Sequence, residues 1–279
     1  MFNLPNRPPR MAVRPKSLGN VAALVGAACC FLASTAVQAE DSARYSLSAG
    51  IDFSSWDYGS SANTDIWFLP VSFKYERGPS TLRLTVPYIR VTAPSGGTLI
   101  GYDDQGRPIY SGTGPRTTEQ GLGDVVLAYT HSLFEQPREN FLANIGARVK
   151  FATADEDKGL GSGKNDYGAF AEVYYLAGAA TPFAIVEYRV NGDPADIDLR
   201  NIWQGTLGLA YQLSDRNSVG ALWDLRQSLT PGGDGMNEMT AYWTHKFGGG
   251  YKLQTYGVVG FGGISPDYGL GLTVSFSTR

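Results

Sequence analysis

Apolar and polar side chains alternate one by one along the last strand-length stretch of the chain. Tyr268, Leu270, Leu272, Val274 and Phe276 fall on one face, and Gly269, Gly271, Thr273 and Ser275 on the other. Successive side chains of a β-strand point to opposite faces, so the stretch predicts a strand with one apolar face and one small, polar face. The same period of two recurs in segments near 44–54, 64–76, 80–91, 121–134, 140–152, 166–177, 181–191, 201–213, 217–229, 238–247, 251–261 and 268–277. Each is close to the roughly ten residues that a tilted membrane-spanning strand needs. No helical period competes over a comparable window. The pattern predicts an all-β fold, an antiparallel transmembrane β-barrel of about 12 strands with lipid outside and water inside. A soluble periplasmic β-sandwich is the rival fold.

Connection lengths support the barrel. Short links at 76–80, 135–139, 178–180, 214–216 and 248–250 alternate with mostly longer ones at 55–63, 92–120, 152–165, 191–200, 230–237 and 262–267. Outer-membrane barrels have short periplasmic turns and longer outside loops, and an even strand number places both ends of the barrel in the periplasm. Aromatic residues gather at both predicted strand ends. Tyr45, Phe73, Phe141, Tyr211 and Phe276 are among those on the periplasmic side, and Phe53, Trp56, Trp67, Tyr188 and Trp203 among those on the outer side. Two such rings match the aromatic girdles of membrane barrels.

Residues 1–39 read as a signal peptide and 40–279 as the barrel. Arg7, Arg10, Arg14 and Lys16 form a basic start, an apolar stretch of small residues follows, and Val37-Gln38-Ala39 places cleavage after Ala39. Met11 is an alternative start. A membrane anchor is the rival reading, opposed by the small-residue end and the switch to Glu40-Asp41. Cys29 and Cys30, the only cysteines, lie in this peptide, so the mature chain has no thiol for disulfides, catalysis or metal binding. Of the 23 basic residues four lie in the peptide, and none of the 26 acidic ones does, leaving the mature chain at about −7. That balance excludes a nucleic-acid binder. Mean hydropathy is −0.17, but only every second barrel residue meets lipid, so an average conceals a membrane signal.

The opposite face of each strand carries charge. Arg83, Arg148, Arg189, Arg226, Glu172 and Glu187 fall there, with Asp52, Lys74, Asp124, Lys150, Asp224, Lys246 and Lys252. An Arg or Lys facing lipid at the bilayer midplane costs about 2–4 kcal/mol, so these positions point into the lumen. Their mixed signs suit ion-pair ladders that stiffen the wall, and the arginines also suit a polar path for solutes. Twelve strands lie between filled eight-stranded barrels and wide porins, which predicts a narrow channel for small molecules. The 92–120 connection is long enough to suggest a function. Its Leu99, Ile100, Tyr102, Ile109 and Tyr110 suit a loop folded over or into the outer mouth. The alternative is a small solvent-exposed hairpin turning at Asp103-Asp104-Gln105-Gly106.

Reactive chemistry is sparse. Gly159-Leu160-Gly161-Ser162-Gly163-Lys164-Asn165 lacks the first glycine and the final Ser/Thr of a phosphate-binding loop, and reads as a flexible outside loop. Asp155-Glu156-Asp157 fits no calcium-loop spacing. His131 and His245 each neighbour a hydroxyl residue in sequence, which places the two on opposite strand faces and argues against a nucleophile–base pair. No cofactor, no metal and no enzymatic activity are expected.

Four features together carry a family resemblance. G-L-G-D-V at 121–125 opens the fourth strand, G-L-G-S-G-K-N-D-Y at 159–167 opens the sixth, and a signal peptide and an alternating last strand bracket the chain. The sequence resembles the outer-membrane transporter family named for the meta-cleavage pathway of phenol degradation. The resemblance implies a bacterial outer-membrane channel passing small, hydrophobic or aromatic solutes by passive diffusion, and it carries over no binding residues. Expected partners are membrane lipid and lipopolysaccharide, the solute, and the barrel-assembly machinery, whose Gly-x-x-apolar-x-aromatic signal Gly271, Val274 and Phe276 supply. The chain departs from the usual aromatic end by running on through Ser277-Thr278-Arg279. An unselective or structural barrel is the first alternative and an outer-membrane enzyme the second.

Overall fold

The computed structural model describes residues 24–25, 28–29, 43–56, 63–95, 98–102, 108–111, 114–134, 140–194, 199–262 and 264–278, with backbone alone at 24–29 and within 98–111. The expected signal peptide and its cleavage site lie outside these residues, apart from a two-pair bridge between Leu24–Val25 and Ala28–Cys29. The described remainder is one closed antiparallel barrel of twelve strands. They are β1 (Arg44–Trp56), β2 (Thr64–Arg77), β3 (Ser80–Pro94) and β4, which runs as Arg116–Leu122 and Val125–Ser132. β5 (Phe141–Phe151), β6 (Asp166–Tyr175), β7 (Ala180–Val190) and β8 (Ile202–Gln212) follow. β9 (Asn217–Arg226), β10 (Met236–Lys246), β11 (Tyr251–Gly260) and β12 (Tyr268–Ser277) complete the wall.

Each strand pairs with its sequence neighbours, and β12 closes on β1 from Tyr268↔Ser55 to Ser277↔Ser46. Closure satisfies the edge hydrogen bonds that a bilayer would leave unmet. Strands of 10 to 15 residues, at ~3.3 Å per residue and a tilt of ~40°, rise roughly 25–38 Å, which matches a ~30 Å hydrocarbon layer. Two-residue turns need a positive φ at their first central position. Gly78 (φ 55°) and Gly178 (φ 65°) supply it between β2 and β3 and between β6 and β7.

Burial is inverted relative to a soluble protein. Leu270, Leu122, Phe261 and Trp203 are more than half exposed, whereas Glu172 and Glu187 are 1% exposed. The apolar surface is the lipid face and the polar surface the lumen. Aromatic pairs band both ends: Tyr45–Tyr75, Phe141–Tyr175 and Tyr251–Phe276 on the periplasmic side, and Phe53–Trp67 and Tyr188–Trp203 on the outer side, with ring centroids 4.8–5.3 Å apart. Trp56, expected in the outer girdle, instead points inward and is buried. It stands one residue past Ser55, and that single step moves a side chain to the other face.

Inward glycines and aromatics face each other across four strand pairs: Gly146↔Phe170, Phe183↔Gly208, Gly220↔Tyr242 and Tyr256↔Gly271. A Cβ on any of these glycines would sit 2.1–2.3 Å from the opposite ring. Each ring therefore lies flat over a bare backbone, which keeps bulky side chains against the wall and out of the bore.

Candidate functional site

The lumen is the candidate site. In its outer half Glu187 on β7 receives hydrogen bonds from Arg148 on β5 and from Arg189, whose Nε is 3.4 Å from Oε1. Arg189 also donates to Gln204 Oε1 on β8 at 3.1 Å. The intervening strand makes this crossing possible. Gly168 of β6 lies between Arg148 and Arg189 in register, and a Cβ there would come 2.5 Å from Glu187 Oε1. The Arg148 guanidinium also covers the Phe170 ring at 5.7 Å. A ladder of this kind fixes charges that would otherwise be costly to desolvate.

A second cluster grows from an irregularity in β4. Tyr88 pairs with Leu122 but Thr85 with Val126, so β4 spends one extra residue between those points. This is a β-bulge. Gly123 N donates to Pro87 O at 2.9 Å, and Asp124 turns into the lumen. There its carboxylate takes Lys150 Nζ at 3.0 Å and the backbone N–H groups of Thr153 and Ala154 at 3.1 and 3.0 Å. Lys150 reaches Asp166 at 2.9 Å and Ser162 Oγ at 3.0 Å.

These bonds draw the 152–165 loop inward, so its expected role as a flexible outside loop is corrected. Leu160 is 1% exposed and packs with Trp56, Ile66, Ile89 and Val91, all on the inner faces of β1–β3 near their outer ends. The two glycine-rich stretches of the sequence meet here. A Cβ on Gly121 would sit 2.9 Å from Leu160, and one on Gly161 would sit 2.9 Å from the Asp124 carboxylate. The signal was present in the sequence as a lone leucine among small polar residues.

In the periplasmic half Glu172 accepts from Asn144 Nδ2 and Tyr174 OH, both at 3.0 Å, and Ser132 in turn holds Asn144 at 2.9 Å. An apolar cluster of Leu142, Tyr174, Phe183, Ile185 and Leu222 continues to Tyr242, Tyr256 and Val258, so one wall of the lumen is largely apolar. Tyr256 OH donates to Asp52 at 2.6 Å. Arg83 and Arg226 are buried on the inner face at 7% and 4% exposure.

All six charged lumen residues named from the sequence thus point inward. The structure joins Arg148, Glu187 and Arg189 in one ladder and gives Glu172 neutral hydrogen-bond donors. The 92–120 connection is shorter than expected, because β3 and β4 continue pairing out to Pro94↔Arg116. Between them Thr98–Tyr102 pairs with Pro108–Ser111 as a hairpin. The side chains of Leu99, Ile100, Tyr102, Ile109 and Tyr110 lie outside the described residues. His131 and His245 face outward near the periplasmic end, beside Tyr129 and Asn217.

No family profile matches this sequence, and no curated protein matches it. Solved structures do match in fold. The crystal structure of the COG4313 outer membrane channel from Pseudomonas putida F1 superposes with a TM-score of 0.62 at 12% identity, over 87% of this chain and 97% of that one. The KdgM porin matches with a TM-score of 0.51 at 8% identity, over 84% and 99% of the two chains. The fold is that of outer-membrane barrels.

Proposed function

We propose that this chain is a channel of the bacterial outer membrane that lets small solutes, aromatic or moderately hydrophobic ones among them, diffuse through a narrow bore. The observation that carries the proposal is the closed twelve-stranded wall with an apolar outside and a charged, hydrogen-bonded inside. Likeness in fold to an outer-membrane channel and a porin supports it. The aromatic preference rests on the resemblance of the 121–125 and 159–167 motifs to the phenol meta-pathway transporters, and the apolar lumen wall is compatible with it. Within this reading Arg83, Arg148, Arg189, Arg226, Glu172 and Glu187 line the path. Leu160 narrows its outer end, and Leu99, Ile100, Tyr102, Ile109 and Tyr110 cover the mouth from the hairpin. Signal-peptide removal near Ala39 and insertion by the assembly machinery belong to the same proposal.

A structural barrel is the second reading, favoured by how little of the inner wall is exposed, with Thr240 and Thr244 at 0%. Planar-bilayer recording of the purified mature barrel decides. The channel gives discrete conductance steps that millimolar benzyl alcohol reduces and equimolar glucose leaves alone. Absence of steps from a heat-modifiable, folded barrel overturns the channel, and equal sensitivity to both solutes overturns the aromatic preference.

A further inference from the structure

The inner face of β2 and β3 departs from its neighbours in the outer half of the lumen. Much of the wall at that height is charged, with Arg148, Lys150, Glu187, Arg189 and Arg226 turned inward. On β2 and β3 three apolar pairs instead stand directly opposite one another: Ile66↔Val91, Phe68↔Ile89 and Pro70↔Pro87. This ladder begins at the outer mouth and ends on Ser72 and Thr85, whose hydroxyls are 2.8 Å apart. Lipid does not reach this side of the wall. Its apolar surface can leave water only against other parts of the chain or against a guest.

One residue of the 152–165 loop covers the outer end of the ladder. Leu160 clusters with Trp56, Ile66, Ile89 and Val91, and it is the sole apolar side chain between Asp155 and Lys164. β4 makes way for it. A Cβ on Gly121 would sit 2.9 Å from Leu160, and one on Gly123 would sit 2.4 Å from Ile89 behind it. Gly159 (φ 64°) and Gly163 (φ 66°) flank the leucine in a backbone conformation that other residues rarely adopt. The segment's other anchors are polar: Leu160 N donates to Asp155 O at 3.1 Å, and Lys150 Nζ donates to Ser162 Oγ at 3.0 Å. Water can replace either partner once the segment lifts, whereas the leucine has only apolar contact to lose. Its seat therefore depends chiefly on one isobutyl group. Phe68, next on β2, packs against the cluster but stays only partly buried, so the apolar ladder continues past the leucine into the lumen.

We infer that the β2–β3 ladder is an entry site for small, uncharged, largely apolar solutes, and that Leu160 is its tethered cap. A solute arriving from outside takes the place of the leucine on Trp56, Ile66, Ile89 and Val91. It buries there an apolar area at least as large as the isobutyl group that it displaces, so the exchange costs little. The freed segment swings on its glycines, and the solute passes down Phe68, Pro70 and Pro87 to the hydroxyls of Ser72 and Thr85. The inference rests on the channel reading for its physiological use but not for its test.

Methyl NMR of the detergent-solubilised mature barrel, titrated with benzyl alcohol, reads the site without conduction. In wild type the δ1 methyls of Ile66 and Ile89 and the methyls of Leu160 shift together and saturate. Ile51 and Ile145, exposed on the lipid face, report partition into detergent and shift without saturating. Glycerol, equally uncharged but polar throughout, moves none of them. Leu160→Ala removes most of the competing side chain and tightens benzyl alcohol about fivefold or more, whereas Leu160→Met keeps an apolar cap and stays within about twofold of wild type. Three results overturn the entry site: no saturable shift at Ile66, Ile89 and Leu160 in wild type; saturation only at Ile185, in the other apolar cluster; or equal affinity of wild type and a heat-modifiable Leu160→Ala variant. Saturable binding by a barrel that conducts nothing sustains the site and overturns the channel. Discrete conductance from a barrel whose methyls do not move does the reverse.

Discussion

Two glycines on one strand separate the packing argument from any general intolerance of substitution. Gly208 of β8 faces inward beneath Phe183, and a Cβ there would lie 2.1, 2.5 and 2.6 Å from three ring atoms. Real Cβ atoms do not approach so closely, and Phe183 is held in turn by Tyr174, with ring centroids 5.7 Å apart. Gly208→Ala must therefore displace the ring into the lumen or tilt it off its neighbour. Overpacking of this kind costs about 1–3 kcal/mol, a factor of roughly 5–150 in the folding constant. Gly205, three residues earlier on the lipid side, would place its Cβ 3.6 Å from Ile185 O, an ordinary contact. Gly205→Ala should be neutral or stabilise by up to about 1 kcal/mol through the unfolded chain. Guanidinium unfolding of the barrel in lipid vesicles, followed by tryptophan fluorescence, measures both. Gly208→Ala with Phe183→Leu should recover more than half the loss, because the smaller side chain vacates the clash. A Gly208→Ala variant as stable as wild type, or a Gly205→Ala variant equally damaged, would refute the reasoning.

Replacing 155–164 by a short Gly-Ser turn removes Leu160 from its apolar ring and Ser162 from Lys150, so single-channel conductance should rise about twofold or more with the barrel still heat-modifiable. The same replacement at 95–115 leaves the β3–β4 pairing intact and tests the hairpin alone; unchanged conductance there would remove it from the constriction. Phe276→Ala should lower the folded yield in the outer membrane while export continues, and equal heat-modifiable yields for variant and wild type would count against a role in assembly.

The wall was legible because a barrel writes its geometry into sequence parity. Every second residue meets lipid, and a charge moved to that side is penalised, by about 2–4 kcal/mol for an arginine at the midplane and by less for a carboxylate or nearer the interface. Strand limits followed closely; β12 ends at Ser277 and β2 begins at Thr64 as the alternation implies. Parity failed where the backbone leaves the regular strand. The extra residue at Gly123-Asp124 resets the count, and only the pairing of Tyr88 with Leu122 and of Thr85 with Val126 reveals it.

The partners of the lumen charges were not legible, because they depend on what stands between them. Arg148 and Arg189 lie 41 positions apart in sequence, and nothing in their spacing points to a shared carboxylate. What brings them together is the bare backbone of Gly168, over which Glu187 reaches both. The same holds at the mouth. Gly121 and Gly161 leave room for Leu160 and for the Asp124 carboxylate, so a loop that reads as solvated is drawn inside by one buried leucine and a lysine held by two aspartates. In both places the glycines are the informative residues, for a physical reason: inside a closed barrel, the absence of a side chain on one strand decides which side chains of its neighbours can meet. The ladders follow from the same constraint: they need room to cross, and they form where Gly168 and the β4 bulge provide it.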